Sequence, residues 1–334
     1  MKKRFRTVES TIGSRQDIVE FLNGDQDIVE IFDLPSDLPK DRIDKYKRLY
    51  SGIGNTPVYQ VNLDNNNKLR IKAEYFNRMG NSHYSRAWIP YLFICEELGV
   101  ITPTDTRLVE TTSGNSGIAL SMAAKFLNYG LTMVVPSCLP PSRTMRMEKY
   151  DANVIKVEGY IEQCIFKMQR LIVSENLFPC NHSEEFADVF VKIMKRIAVE
   201  YSRKYGYPDY VIAGLGNGIS TTATFSFLRK GNHTLKAVIF HPDAASEIIY
   251  GLYTPLSPEG RFRHIHETLN LTDERINADK SNASSSRELF YYDTEICNLG
   301  DSSLIAIDIA VQKAKECNNK TFLTLAYDKN DGYL

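Results

Sequence analysis

The sequence predicts an α/β fold with mostly parallel sheets covered by helices on both faces. Three observations carry this. From about residue 107 onward, short apolar runs rich in β-branched residues alternate with amphipathic segments of ten or more residues. That is the pattern of repeated strand–helix–strand units with right-handed crossovers. A parallel sheet of this kind is buried on both sides and needs helices on each. Finally, two polar glycine-bearing loops, at 111–117 and 214–220, each follow a strand-like run and lead into a helix-like one. Ligands of such sheets collect at the carboxyl ends of the strands.

With 334 residues the chain has room for one large or two mid-sized domains. Hydrophobic residues at 43% and charged residues at 24% fit a soluble globular protein. A formal net charge of −1 gives no electrostatic reason to expect a nucleic acid or an anionic membrane as partner. The basic start, Met1 to Arg6, is followed by no apolar run, so neither a secretory signal nor a membrane span is expected. Six cysteines are scattered without a CxxC pair, as reduced thiols of a cytoplasmic protein would be. The histidines form no metal-ligand pattern, and no metal is expected.

Taken in order, residues 1–50 read as an N-terminal extension. Ser14 is placed to cap a short helix through Ile18, Val19, Phe21 and Leu22, and a second helix is expected over 41–50, with a proline-bearing loop between. Strands follow at 58–61 and 69–76, then a polar loop from Asn77 to Ser85. Trp88, Tyr91, Leu92 and Cys95 fall at i, i+3, i+4 and i+7, one face of a helix over 87–98 with Pro90 in its first turn. Strands are expected at 108–110, 131–135, 153–157, 209–213, 236–240 and 321–326. Helices are expected at 118–127 (closed by Gly130), 143–150, 161–173, 186–205, 221–229 and 303–317. Residues 253–300 are weakly patterned, and the Asn- and Ser-rich stretch 281–286 reads as loop. No internal repeat is visible.

The two glycine loops are the chemical features. Thr111-Thr112-Ser113-Gly114-Asn115-Ser116-Gly117 aims backbone N–H groups and a helix dipole at one point, where an anion belongs. Hydroxyls on Thr112, Ser113 and Ser116 and the Asn115 amide add directional bonds. Read structurally, the same stretch is an ordinary strand–turn–helix junction with polar caps. Gly216-Asn217-Gly218-Ile219-Ser220 has the look of a phosphate site. Its glycine spacing is not that of a dinucleotide fingerprint, and no Gly-Lys-Ser/Thr follows to make a P-loop. A phosphorylated cofactor together with a small carboxylate substrate uses both loops.

In their order along the chain, these motifs resemble the fold type II pyridoxal-phosphate enzymes, in particular the cysteine synthase (O-acetylserine sulfhydrylase) and cystathionine β-synthase group. The likeness runs from about residue 51 to the end. Ile53-Gly54-Asn55-Thr56-Pro57 resembles that group's opening motif, and Ala73-Glu74-Tyr75-Phe76-Asn77 the strand leading to its cofactor lysine. Thr112 to Gly117 is similar to its substrate-carboxylate loop, Gly216 to Ser220 to its phosphate loop, Gly300-Asp301-Ser302 to the serine facing the pyridine nitrogen, and Asp328 to Tyr333-Leu334 to its closing motif.

The resemblance implies two three-layer α/β/α domains with mostly parallel sheets, of the tryptophan synthase β-like, fold type II kind. It implies an extension at 1–50, a large phosphate-binding domain of 51–77 plus 183–334, and a small mobile domain of 78–182. Pyridoxal 5′-phosphate is the implied cofactor, a small amino acid the substrate, and a homodimer the assembly. Thr112, Ser113, Gly114, Asn115 and Ser116 would form the substrate loop, with Asn115 also on the cofactor's ring oxygen. Gly216, Asn217, Gly218, Ile219 and Ser220 would bind the phosphate. Ser302 would face the ring nitrogen; a helix N-cap is its structural alternative. The implied reaction is β-replacement or β-elimination on an activated L-serine through an aminoacrylate, with the two loops converging on one adduct.

The likeness breaks at the Schiff-base lysine. The stretch Asn77-Arg78-Met79-Gly80-Asn81-Ser82-His83-Tyr84-Ser85-Arg86 contains none. Aligned on Ser82 and Arg86 the lysine position is Tyr84; aligned from Asn77 it is His83. Neither forms an imine, and a tyrosine with an ordinary pKa near ~10 is a poor base at neutral pH. Lys72 lies on a strand leading away and is not expected to substitute. Arg78 replaces the group's proline, and the second glycine loop is poorer in glycine. An introduced Lys→Tyr change, a natural protein that keeps the pocket for binding alone, and acid–base chemistry by Tyr84 or His83 all remain open.

Overall fold

Alternating apolar runs and amphipathic segments make mixed α/β structure, as the sequence predicts. The computed structural model describes residues 16–24, 26–112, 114–183, 186–242, 249, 252 and 262–330. Ser14, Ser113 and the end of the closing motif at Tyr333-Leu334 lie outside the described residues. In chain order the strands are β1 (Val58–Leu63), β2 (Asn67–Ala73), β3 (Arg107–Thr111), β4 (Gly130–Pro136), β5 (Asn153–Val157), β6 (Phe178–Pro179), β7 (Tyr210–Gly214), β8 (Lys236–His241), β9 (Glu274–Asn277) and β10 (Thr321–Ala326). The first helices are α1 (Gln16–Asn23), α2 (Lys40–Tyr50), α3 (Ser85–Glu97), α4 (Asn115–Leu127), α5 (Pro141–Glu148) and α6 (Ile161–Glu175). The later ones are α7 (Ala187–Tyr205), α8 (Ile219–Gly231), α9 (Arg263–Asn270), α10 (Lys280–Leu289), α11 (Thr294–Cys297) and α12 (Asp301–Ala314). Among the described residues no helix is long and apolar enough to cross a membrane.

Two compact units emerge. The first takes Met1–Ile53, Arg78–Gly80 and Tyr84–His182; the second takes Gly54–Asn77, Asn81–His83 and Ser183–Leu334.

The first unit holds a parallel four-stranded sheet in the order β5-β4-β3-β6. On one face Val109 and Val134 pack with Cys164, Met168, Leu171 and Ile172 of α6. On the other, Gly117 lies so close to the side chains of Met133 and Met147 that a Cβ there would stand 3.0 Å or less from both. Three layers result, because alternate strand residues point to opposite faces and each set must be covered.

Helix α3 departs from the amphipathic expectation: all of its residues are buried. The N-terminal segment supplies the missing cover. Phe32 and Tyr46 meet Phe93 edge-on at 5.0 and 5.2 Å. The Glu96 carboxylate accepts the hydroxyls of Tyr46 and Tyr129 at 2.6 Å each and Arg42 Nε at 2.8 Å. Pro90 is also not in the first turn as expected; it is the sixth residue of α3. Its missing N–H would have served the carbonyl of Arg86 four residues back. Tyr50 donates its hydroxyl to that carbonyl at 3.2 Å instead. Two further expectations are corrected here. Helix α4 closes on Asn128 in the left-handed region (φ 64°), not on Gly130, which begins β4. Strand β6 had gone unread because it is only two residues long.

The second unit holds a six-stranded sheet in the order β1-β2-β10-β7-β8-β9, in which β1–β2 is the antiparallel pair and the other pairings are parallel. Leu69, Ile71, Ile212, Val238 and Phe322 face α12 and its neighbours, while Val211, Ala213, Ala237, Ile239 and Leu323 face α7 and α8. Expected strand residues Glu74–Phe76 are a short 3-10 turn. The stretch 281–286, expected as loop, lies inside α10. Asp279 caps that helix, Asn282 donates to Asp308 at 2.7 Å, and Ser286 donates to the Leu304 carbonyl at 2.8 Å. Packing of Ala283 and Ser286 against α12 overrides the weak helix propensity of Ser and Asn.

Candidate functional site

In the first unit, β3 delivers the predicted anion loop to its carboxyl end. Thr112 Oγ1 accepts Gly114 N–H at 3.2 Å, and α4 starts at Asn115. A Cβ on Gly114 would sit 2.2 Å from Arg143 Nη1 of α5, so a buried guanidinium backs the loop and would have to shift for any larger residue. Ser116 is 3% exposed, and its hydroxyl meets no partner among the described residues. Its carbonyl accepts Trp88 Nε1–H at 2.9 Å. Tyr84, the N-cap of α3, is half-buried with its ring perpendicular to His182 at 5.7 Å. His182 in turn is bonded to the buried Glu110 carboxylate.

The second glycine loop belongs to the second unit. Asn217 Oδ1 accepts Ile219 N–H at 3.2 Å, and Asn217 Nδ2 donates to Ser183 Oγ at 2.8 Å. Gly218 has φ +86°, and a Cβ there would lie 2.3 Å from the carbonyl oxygen of His264. Helix α9 fixes this bend: Thr268 donates to the Gly218 carbonyl at 3.1 Å, and Thr222 to the His264 carbonyl at 3.1 Å. Ile219 and Ser220 open α8, a 13-residue helix whose free N–H groups and dipole favour an anion. Ser302 is the second residue of α12, and Gly300 is the cap, so capping does not account for Ser302.

The two candidates for the lysine position part company. His83 belongs to the second unit, its ring against Tyr327 at 4.8 Å, whereas Tyr84 belongs to the first. Lys72 is committed elsewhere. It is 1% exposed and donates to Glu200 at 3.1 Å and Thr56 Oγ1 at 2.7 Å. Thr56 donates to Glu74, and Asn77 bridges Glu74 to the Gly54 N–H. The 53–57 motif is thus part of a buried polar network around Lys72, whose partner Glu200 also pairs with Arg196 at 3.1 Å.

The pyridoxal-phosphate dependent enzymes match residues 49–289 of this sequence. The chain belongs to that family. Cysteine synthase A of Escherichia coli (strain K12) is 24% identical over 298 residues, covering 84% of this chain and 92% of that protein. A cysteine synthase of a Flavobacterium species is 27% identical over 222 residues, 65% of this chain and 71% of its own length. Among solved structures, a hydrogen sulfide-producing enzyme from Fusobacterium nucleatum superposes with a TM-score of 0.74 at 25% identity, covering 86% and 99% of the two chains. O-ureido-L-serine synthase superposes at 0.76 with 20% identity, covering 86% and 92%. The α/β fold class expected from the sequence is the fold these structures have.

The cofactor of this family is pyridoxal 5′-phosphate. Three features of the described residues fit it. The α8 N-terminus is reached through a bend that admits no side chain at Gly218. The Ser116 hydroxyl is buried and meets no partner among the described residues, so it has bonding capacity left for an anion. The buried Ser302 side chain offers a neutral hydroxyl. What 77–86 does not offer is an amine.

Sequence reasoning missed Glu110, His182 and Arg143. Glu110 read only as a strand residue and His182 as one of six scattered histidines. A clue lay in the two residues before Thr112, where a carboxylate in an otherwise apolar strand is costly unless paired.

Proposed function

We propose that this chain works on an activated L-serine, O-acetyl- or O-phosphoserine, in a cysteine-synthase-like β-replacement or β-elimination with pyridoxal phosphate as its cofactor. The observation that carries the reading is the pair of glycine-bearing loops at strand ends, one with a buried Ser116 hydroxyl that meets no partner among the described residues and one bent at Gly218. The cysteine synthases among its relatives support it.

When bound, the cofactor supplies an electron sink for charge developing on the substrate's α-carbon. The chain's residues do the rest. Hydroxyls of Thr112, Ser113 and Ser116, with the N–H groups of the first α4 turn, hold the substrate carboxylate. Asn115 orients the ring oxygen. Gly216, Asn217, Gly218, Ile219 and Ser220 hold the phosphate with backbone N–H groups and one hydroxyl. Ser302 would offer the ring nitrogen a neutral hydroxyl. Tyr84 takes the lysine's position, so the cofactor is held without a covalent link. A homodimer is the proposed assembly.

Tyr84 also favours a second reading, a binding protein that holds cofactor and amino acid without turnover. One titration separates the two. Purified protein is mixed with pyridoxal phosphate and then with O-acetylserine and sulfide. A visible band that changes with amino acid, together with product, is expected for the enzyme; a band without product supports the binding protein. The Tyr84→Lys variant is expected to link the cofactor covalently and to raise turnover. Failure of both proteins to bind the cofactor overturns both readings.

A further inference from the structure

Trp88 is the one tryptophan of the chain, and it is fully buried in α3. A buried indole N–H has to find an acceptor. Here the acceptor is the Ser116 carbonyl, in the first turn of α4, at 2.9 Å. Both residues belong to the first unit. Packing holds the plane of the indole: Tyr91 meets it edge-on at 5.8 Å, and the His182 ring lies tilted against it at 5.4 Å. The direction of the N–H is therefore set by the rings around it as well as by the bond.

Inside a helix a carbonyl serves the amide four residues on, so the Ser116 carbonyl has Leu120 and does not need the indole to be satisfied. The second donor acts on where the residue sits. The Ser116 hydroxyl is buried and meets no partner among the described residues, so its side chain is held by no bond there. Other elements grip the same turn from other sides. Gly117 N–H donates to the Gly114 carbonyl at 3.0 Å, and a Cβ on Gly117 would lie 2.4 Å from the Thr112 methyl. Gly80, at φ +110°, approaches α4 so closely that a Cβ there would stand 2.8 Å from Ala119 Cα. Trp88 thus holds Ser116, Thr112 holds Gly117 and Gly80 holds Ala119. A shift of the turn breaks at least one of these contacts.

We propose that Trp88 is the positioning residue of the anion loop. Its indole N–H fixes Ser116 so that the hydroxyl, and the N–H groups at the start of α4, meet the substrate carboxylate without rearrangement. The inference rests on the reading of this loop as the carboxylate site given above. Donors already in place need no ordering when the anion arrives, and a loop that must first be ordered binds it more weakly. The same bond makes occupancy of the loop legible at the indole, because a negative charge held by Ser116 changes the field on the Nε1–H.

The test exchanges the N–H for sulfur. With one tryptophan in the chain, expression with benzothienylalanine in place of tryptophan alters position 88 alone. That residue keeps the shape of the indole and has sulfur where the N–H was. Full-length protein loaded with pyridoxal phosphate is titrated with L-alanine, which has no leaving group, and with L-alaninamide, which has no carboxylate. The sulfur protein is expected to bind L-alanine about three- to tenfold more weakly than the unmodified protein, the worth of one neutral hydrogen bond. Its affinity for L-alaninamide is expected to be unchanged, and its affinity for pyridoxal phosphate to stay within about threefold. A ring-fluorinated tryptophan, which keeps the N–H, is expected to restore L-alanine binding. Nitrogen NMR of the unmodified protein shows a single indole resonance, expected to move on saturation with L-alanine and to stay in place with L-alaninamide; it decides even if the sulfur protein folds poorly. Undiminished L-alanine affinity in the sulfur protein, an equal loss for both ligands, or an indole resonance that L-alanine leaves in place each overturns this inference alone. An unmodified protein that binds L-alanine no more tightly than L-alaninamide overturns the carboxylate-site reading, and this inference with it. A chain that binds no pyridoxal phosphate overturns the proposed function as a whole.

Discussion

The hydroxyl of Tyr50 occupies the hydrogen-bonding position that Pro90 vacates, donating to the carbonyl of Arg86 at 3.2 Å. A buried helix thereby runs through a proline with its freed carbonyl satisfied. Tyr50→Phe leaves that acceptor buried and unpaired, at an expected cost of about 1–3 kcal/mol. In a Pro90→Ala background the restored N–H serves the carbonyl, so the same change is expected to cost less. A double-mutant cycle by urea denaturation checks the coupling; equal costs in both backgrounds would refute it.

Glu96 gathers Arg42, Tyr46 and Tyr129 into one cluster. Glu96→Ala strands a part-buried guanidinium and two hydroxyls, and a loss of about 3 kcal/mol in unfolding free energy is expected. Burial, reinforced by Glu96, raises both tyrosine pKa values above the ordinary 10.0. The folded chain then holds these protons more tightly than the unfolded chain does. Stability from this source is intact below pH 10 and is lost as pH climbs beyond it. Alkaline denaturation monitored by circular dichroism is expected to start above that value, and Tyr46→Phe to flatten the slope.

At Gly218 the positive φ and the His264 carbonyl 2.3 Å from a would-be Cβ act together. Gly218→Ala is expected to destabilise the protein by about 2–4 kcal/mol, from left-handed strain plus overpacking. Cofactor affinity is expected to fall with it, whereas Ser226→Ala on the far turn of α8 leaves that affinity unchanged. Isothermal titration with pyridoxal phosphate measures both.

Ser116→Ala removes a buried hydroxyl that meets no protein partner among the described residues. Fold stability is expected to hold or rise slightly, while amino-acid affinity drops by about ten- to a hundredfold, the worth of one hydrogen bond to a charged group. An unchanged affinity would remove Ser116 from the substrate loop.

Much of this was legible beforehand. The apolar runs that became β3, β4, β5, β7, β8 and β10 each lie within a residue or two of their expected positions. Strong β-branched runs bounded by polar residues leave little choice. Illegible were the elements whose local signal is weak. Helix α10 reads as loop because its Ser and Asn residues favour turns until α12 covers Ala283 and Ser286. Strand β6 is too short to show a period.

The family, both glycine loops and the lack of an amine at 77–86 could be read without coordinates, because each is a property of contiguous residues. Only the tertiary structure decided that Lys72 is bound to Glu200, that Tyr50 serves Arg86, and that His182 meets Glu110 from 72 residues away. Those pairings depend on strand order and helix packing. No local pattern encodes which edge of β3 receives β6, yet that choice sets the His182 imidazole beside the Glu110 carboxylate.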